Sequence, residues 1–226
     1  MSKLKLPIIV INFKTYLEST GQNSLNIARI CEKIKDELGV SIAVAPQTAD
    51  IYRISSQVDL PVLAQHVDPI QPGACTGGVL MEAAKEAGAV GTLLNHSEKM
   101  MKIAEIDFII NYARRLSMVT LACSNNINVS SAIAALNPDM IAVEPPELIG
   151  SGTSVSKAQP QVVKNTVDYI RKINADVAPL CGAGISTGED VRSAISLGAK
   201  GVLLASGVVK SKKPEETLRD LAEALV

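Results

Sequence analysis

The sequence of 226 residues predicts one α/β domain, a (β/α)8 barrel over residues 1–226, and three observations carry that prediction. Short apolar runs rich in β-branched residues recur along the chain, each followed by a helical spacing of apolar positions. Eight such units follow one another at a spacing of roughly 28 residues. No linker, charge block or low-complexity segment interrupts them. Strict alternation implies parallel strands joined by helical crossovers, and eight units permit closure with no exposed edge strand. An open doubly wound sheet is the competing arrangement. It usually has fewer units, and no Gly-x-Gly-x-x-Gly follows the first strand.

The first strand is the run Ile8-Ile9-Val10-Ile11 within Lys5–Asn12, and its lack of alternation suits burial on both faces. Ile27, Ile30, Cys31, Ile34 and Leu38 are spaced by three and four, a helix that Gly39 ends. Ser41–Ala45 is the second strand. Ile51, Ile54 and Val58 mark a short helix, and Pro61–Gln65 is the third strand. A Gly-rich loop, Gln71–Gly78, precedes a helix over Met81–Ala87 that Gly88 ends. Gly91–Leu94 is the fourth strand. Asn95-His96-Ser97-Glu98 follows it and leads into a long helix through Ile106, Ile109, Ile110 and Ala113. Met118–Cys123 is the fifth strand, Ser130–Leu136 a helix, and Met140–Val143 the sixth strand after an Asn137-Pro138-Asp139 turn. Gln161–Ile173 carries Val163, Thr166, Val167 and Ile170 on one side of a helix. Asp176–Cys181 is read as the seventh strand although Pro179 lies inside it, and Thr187–Leu197 as the helix that Gly198 stops. Gly201–Leu204 is the eighth strand, and Pro214 opens a last helix with Leu218, Leu221, Ala222 and Leu225.

Composition narrows the function classes. Apolar residues make up 47% and charged residues 20%, enough for a sizeable core. The formal net charge of -1 gives no nucleic-acid footprint, and the 3% aromatic content without Trp offers no stacking platform for bases. No apolar run is long enough to span a bilayer, and the first residues show no secretory signal. Cys31, Cys75, Cys123 and Cys181 stand apart, against a zinc cluster or a disulfide framework. These features point to a soluble cytoplasmic protein that acts on a small molecule and needs neither nucleic acid nor membrane.

In such a barrel the residues just after each strand converge on one mouth. They are Asn12 and Lys14 after the first strand, Asn95, His96 and Glu98 after the fourth, and Glu144 after the sixth. Gly182-Ala183-Gly184 and Ala205-Ser206-Gly207 follow the seventh and eighth. Small residues there expose backbone N–H groups, and a following helix adds its positive end, which suits phosphate. Lys14 is placed to supply a fixed cation. Ser97-Glu98 reads as a helix start behind His96, whose positive end would favour a neutral imidazole. His66, after the third strand, has no neighbour that explains a role. Glu144 opens the stretch Glu144-Pro145-Pro146-Glu147-Leu148-Ile149-Gly150-Ser151-Gly152, a stiff entry and a permissive exit around an apolar tip, as a closing lid requires. A carboxylate base, a neutral hydrogen-bond donor, a cation and a phosphate cradle suit proton transfer beside a carbonyl. No His/Asp/Glu set has metal-ligand spacing, so neither metal nor cofactor is expected.

These residues match a known pattern. Asn12-Phe13-Lys14, Gly73-Ala74-Cys75-Thr76-Gly77, His96-Ser97-Glu98 and Glu144-Pro145 with Ile149-Gly150-Ser151-Gly152 resemble triosephosphate isomerase, in the family's order and over essentially the whole chain. The resemblance implies a TIM barrel and the interconversion of dihydroxyacetone phosphate and D-glyceraldehyde 3-phosphate, a step of glycolysis and gluconeogenesis. It casts Glu144 as the base and His96 as the electrophile, a division for which this family is itself the standard worked case. Lys14 becomes the cation near the substrate oxygens, with Asn12 beside it. Ile149 and Gly150 become the lid tip, and Gly184, Ala205 and Ser206 the phosphate grip. The Gly73–Gly78 loop is similar to one that reaches a neighbouring subunit, with Thr76 near that subunit's site. That implies a homo-oligomer, and the short length resembles the compact archaeal form, which favours a tetramer over a dimer. Four places depart from the common pattern. Asn95 stands for a glycine, Ala205-Ser206 for Gly-Gly, Gly-Ala-Gly-Ile-Ser follows the seventh strand, and the lid has Glu147-Leu148 without a Trp. Other readings are a sugar-phosphate epimerase, which would want metal ligands at the strand ends, an aldolase using Lys14 as a Schiff base, and a non-catalytic phosphosugar-binding barrel.

Overall fold

The computed structural model describes residues 4–145 and 158–226. Its eight strands are β1 (Ile8–Asn12), β2 (Ser41–Ala45), β3 (Leu63–Ala64), β4 (Gly91–Leu94), β5 (Val119–Ser124), β6 (Met140–Val143), β7 (Ala178–Gly182) and β8 (Gly201–Leu204). Every pairing is parallel, in the order β2-β1-β8-β7-β6-β5-β4-β3. A parallel bridge between Val44 and Val62 draws the two ends of that order together, with the Val44 N–H donating to Pro61 O at 3.1 Å. The result is a nearly closed barrel with its helices outside.

The core has two layers, which explains the unbroken apolar strands. Ile8, Val10, Leu93, Leu121, Cys123, Ala142, Leu180 and Leu203 fill the inside of the barrel. Ile9, Ile11, Ile42, Val44, Ala122, Ile141, Cys181 and Val202 face outward against the helices. The pleat sends successive residues to opposite sides, and both sides are dry.

The helices are α1 (Gln22–Leu38), α2 (Ile51–Ser55), α3 (Met81–Glu86), α4 (Ile103–Arg115), α5 (Ile127–Ala134), α6 (Pro160–Ile173), α7 (Gly188–Ser196), α8 (Ser206–Val209) and α9 (Pro214–Glu223). Gly39 closes α1 at φ 68°, its N–H donating to Lys35 O at 2.9 Å. α5 begins earlier than its apolar spacing predicts because the Asn126 side chain accepts the Val129 N–H and caps it there. β3 is shorter than predicted, since Val62 engages β2 and only Leu63 and Ala64 pair with β4. β7 forms despite Pro179, which sits in register with Ile141 while its carbonyl accepts the Lys200 N–H at 2.7 Å.

The seam between β1 and β8 depends on Gly201. Its φ is 151°, and an added Cβ would collide with the Ile8 carbonyl oxygen. Gly201→Ala is expected to destabilise the fold by about 2–4 kcal/mol, read from the urea midpoint at unchanged slope. An unshifted midpoint would show that the seam can open without consequence.

Candidate active site

At the C-terminal ends of the strands lies a cavity of about 400 Å3. Asn12, Lys14, His96, Glu144, Gly184, Ala205 and Ser206 all line it, together with Tyr16, Glu98 and Ser186. Parallel closure alone produces this gathering, because residues 12, 96, 144 and 205 each stand at or just past the end of a different strand. The expected lid tip, Ile149 and Gly150, lies outside the described residues.

Glu144 follows β6 directly, its N–H bound to Ser124 O at 2.8 Å, and only 6% of the residue is exposed. Oε2 has no hydrogen-bond partner among the described residues. It stands 3.6 Å from His96 Nε2. Burial raises the carboxyl pKa above its ordinary value, and His96, the Cys123 thiol and Lys14 oppose that rise. Burial also holds the Cys123 thiol well above its ordinary range, so it stays a neutral donor to the carboxylate. In the sequence Cys123 stands only as an isolated cysteine. Its position at the inward end of β5 was the available signal.

Gly182, at the end of β7, belongs by sequence to the small-residue run that suits phosphate. Its structural use is different: an added Cβ would overlap Glu144 Cγ and stand 3.0 Å from Cδ. The missing side chain is the space in which the carboxylate sits.

His96 is 7% exposed, and here one expectation is corrected. No helix starts at Ser97-Glu98. Asn95 takes a left-handed φ of 55°, and Lys99 N–H closes a turn onto His96 O at 2.7 Å. α4 starts at Ile103, where the Glu105 carboxylate receives the Lys102 N–H. A single backbone amide meets the ring in place of a helix end. Glu98 N–H donates to His96 Nδ1 at 3.1 Å, which leaves the ring proton on Nε2, facing Glu144.

Lys14 sits at φ 48°, in the left-handed region, held by its own N–H donating to Asn12 Oδ1 at 2.9 Å. The Gln65 side-chain amide donates to both Lys14 O and Ala45 O at 2.9 Å each. Thus tied, the Lys14 ammonium pairs with Glu98 Oε1 at 2.9 Å and remains largely covered. Asn12 therefore acts first as the brace of Lys14. Gln65 is a support the sequence did not single out. Lys210 Nζ lies 4.2 Å from the centroid of the Tyr16 ring.

The two glycine-rich loops differ. After β7, Asp190 Oδ2 takes the N–H groups of Ser186 at 3.0 Å and Thr187 at 2.9 Å, and Asp220 takes that of Gly188 at 2.7 Å. The start of α7 is thus capped from within the protein and cannot add its positive end to a ligand, contrary to expectation. After β8, Val208 and Val209 both donate to Ala205 O, so the amides of Ser206 and Gly207 are not used by the helix. Gly184, at φ 69°, lines the same cavity. His66 serves elsewhere: its Nε2 meets Asp68 Oδ1 at 3.0 Å, and Asp68 Oδ2 receives the Val79 N–H at 2.7 Å. This pair closes the base of the loop whose tip, residues 71–78, is exposed. Among the described residues no group of three or more His, Cys, Asp or Glu is placed to hold a metal, and no helix is long and apolar enough to cross a membrane.

Comparison with known proteins agrees with this geometry. Residues 7–225 match the family model described as triosephosphate isomerase. The triosephosphate isomerase of Methanocaldococcus jannaschii is 58% identical over 214 residues, covering 95% of this chain and 98% of that one. That of Methanothermus fervidus is 56% identical over 215 residues, covering 95% and 97%. The protein of the same description from Methanobacterium bryantii is 54% identical over 226 residues, the full length of both.

Two outcomes are expected from the packing of Glu144. Gly182→Ala should displace the carboxylate and lower kcat by roughly a hundredfold in a chain with native circular dichroism. A variant with native kcat would show that Gly182 only fills a turn. The second outcome concerns pH. A carboxyl whose pKa is raised by folding costs no stability below the ordinary value of 4.5, where both states hold the proton. As pH rises the unfolded chain releases its proton first, and the penalty grows until the folded carboxyl also ionises. Glu144→Gln should therefore raise Tm at pH 7 and lose that advantage at pH 4. A lower Tm at pH 7 would contradict it.

Proposed function

The chain belongs to the triosephosphate isomerase family, and we propose that Glu144, His96 and Lys14 carry its reaction, with the amides of Gly184, Ser206 and Gly207 at the phosphate. The enzyme is an isomerase that interconverts dihydroxyacetone phosphate and D-glyceraldehyde 3-phosphate, a glycolytic step. The observation that supports these roles most is a buried carboxylate oxygen without a hydrogen-bond partner, 3.6 Å from the imidazole Nε2. Glu144 removes a proton from C1 of dihydroxyacetone phosphate. The electron pair forms the C1–C2 double bond, and the carbonyl π pair moves to O2, where the His96 Nε2–H donates. The O1 hydroxyl proton passes to O2. Glu144 returns its proton to C2 as the aldehyde forms at C1. A desolvated carboxylate holds a proton more tightly than one in water, which strengthens it as a base toward a weak carbon acid. Lys14, fixed by Asn12 and Glu98, offsets the negative charge of the enediolate without reorganising.

The aldolase reading fits poorly. A Schiff base needs a neutral amine, whereas Lys14 is ion-paired with Glu98 at 2.9 Å. The lid role of Ile149 and Gly150 belongs to the same proposal, as does the phosphate contact of Ala205 and Ser206. So do residues 1–226 as one barrel domain, a cytoplasmic location and a homo-oligomer, favoured as a tetramer, in which the exposed 71–78 tip places Thr76 at a neighbour's site.

Glu144→Asp withdraws the carboxylate by one methylene and should lower kcat by roughly a hundredfold or more with the fold intact. The check is a coupled assay with glyceraldehyde 3-phosphate, run with and without a chelator. Full activity in the variant would remove Glu144 from the base role. Borohydride trapping of substrate on Lys14 would replace the isomerase assignment with the aldolase one.

A further inference from the structure

We propose that Asn95 is the residue that positions His96 and Glu98, an inference that rests on the isomerase reading above. Three observations meet at this side chain. Its backbone is left-handed at φ 55°, a conformation that asparagine tolerates and most residues resist. Its Nδ2 donates to Cys123 O at 3.0 Å, across to the end of β5. Its Oδ1 accepts the Met101 N–H at 2.9 Å, closing the chain onto itself beyond the turn.

The loop closed by these two bonds carries both groups that need placement. Inside it, Lys99 N–H binds His96 O at 2.7 Å and Glu98 N–H binds His96 Nδ1 at 3.1 Å. Glu98 in turn holds the Lys14 ammonium at 2.9 Å. On the other side, the anchor Cys123 is the residue whose thiol reaches Glu144. One planar amide therefore links the strand that buttresses the base to the loop that carries the electrophile and the partner of the cation. Aspartate would keep the left-handed backbone and the Met101 acceptor but lose the donor to Cys123. Glycine would keep the backbone and lose both bonds. Asn95 is not among the residues that line the cavity and acts through His96 and Glu98.

The test is steady-state kinetics on Asn95→Gly and Asn95→Asp with glyceraldehyde 3-phosphate, with inorganic phosphate as a competing ligand. Asn95→Gly should lower kcat by roughly tenfold to a hundredfold, while KM and the phosphate inhibition constant stay within about threefold, because the proposed phosphate amides follow β7 and β8 rather than β4. Asn95→Asp should fall between Asn95→Gly and the parent chain. Native kcat in Asn95→Gly would overturn the inference. So would a matched weakening of phosphate, which would mark general loosening of the mouth. If Asn95→Gly fails to fold, native kcat in a folded Asn95→Asp overturns the Cys123 link. A parent chain without isomerase activity would overturn the reading of the site itself, a result distinct from an active parent with indifferent variants.

Discussion

Burial of one carboxylate is the constraint around which this barrel is arranged. Glu144 loses most of its hydration and has one oxygen with no hydrogen-bond partner among the described residues. In an ordinary core such a group would be selected against, because an unpaired buried carboxylate is strongly destabilising. Here the neighbouring residues keep the site dry and still usable. Gly182 supplies the space, Cys123 a weak donor, and His96 a ring whose proton points at the carboxylate. The raised pKa follows from the same burial that, on the proposed reading, makes the group a stronger base.

Charge at this mouth is held in place by rigid geometry. Glu98 pairs with the Lys14 ammonium at 2.9 Å and fixes where that charge lies. The backbone fixes direction as well. Of the non-glycine residues around the site with left-handed backbones, Lys14 and Asn95 are each held there by side-chain hydrogen bonds. Both strained points lie just past strand ends, where a rigid sheet can hold them.

The fold was largely legible because burial on both faces writes long apolar β-branched runs, and glycines such as Gly39 and Gly198 mark helix ends plainly. The misread boundaries have local causes. Ser97-Glu98 carries the residue types of a helix start, but Asn95 turns the chain first, and Glu105 provides the cap that operates. The polar residues of the site were legible because each directly follows a strand. Gly182 and Cys123 were less so: one acts by lacking a side chain, the other through a contact that only strand register reveals. The amides after β7 are available by composition, yet Asp190 occupies two of them through a local capping box, Thr187 to Asp190, and Asp220 takes that of Gly188 from 32 residues away, a contact that spacing alone does not show.

The central claim is that the hydrogen leaves carbon as a proton and rests on Glu144. Following dihydroxyacetone phosphate by NMR in D2O tests it most directly. The parent chain is expected to yield glyceraldehyde 3-phosphate carrying deuterium at C2. Glu144→Gln is expected to show neither this exchange nor isomerisation, each reduced roughly a thousandfold. Isomerisation or exchange at the parent rate in Glu144→Gln would contradict the account.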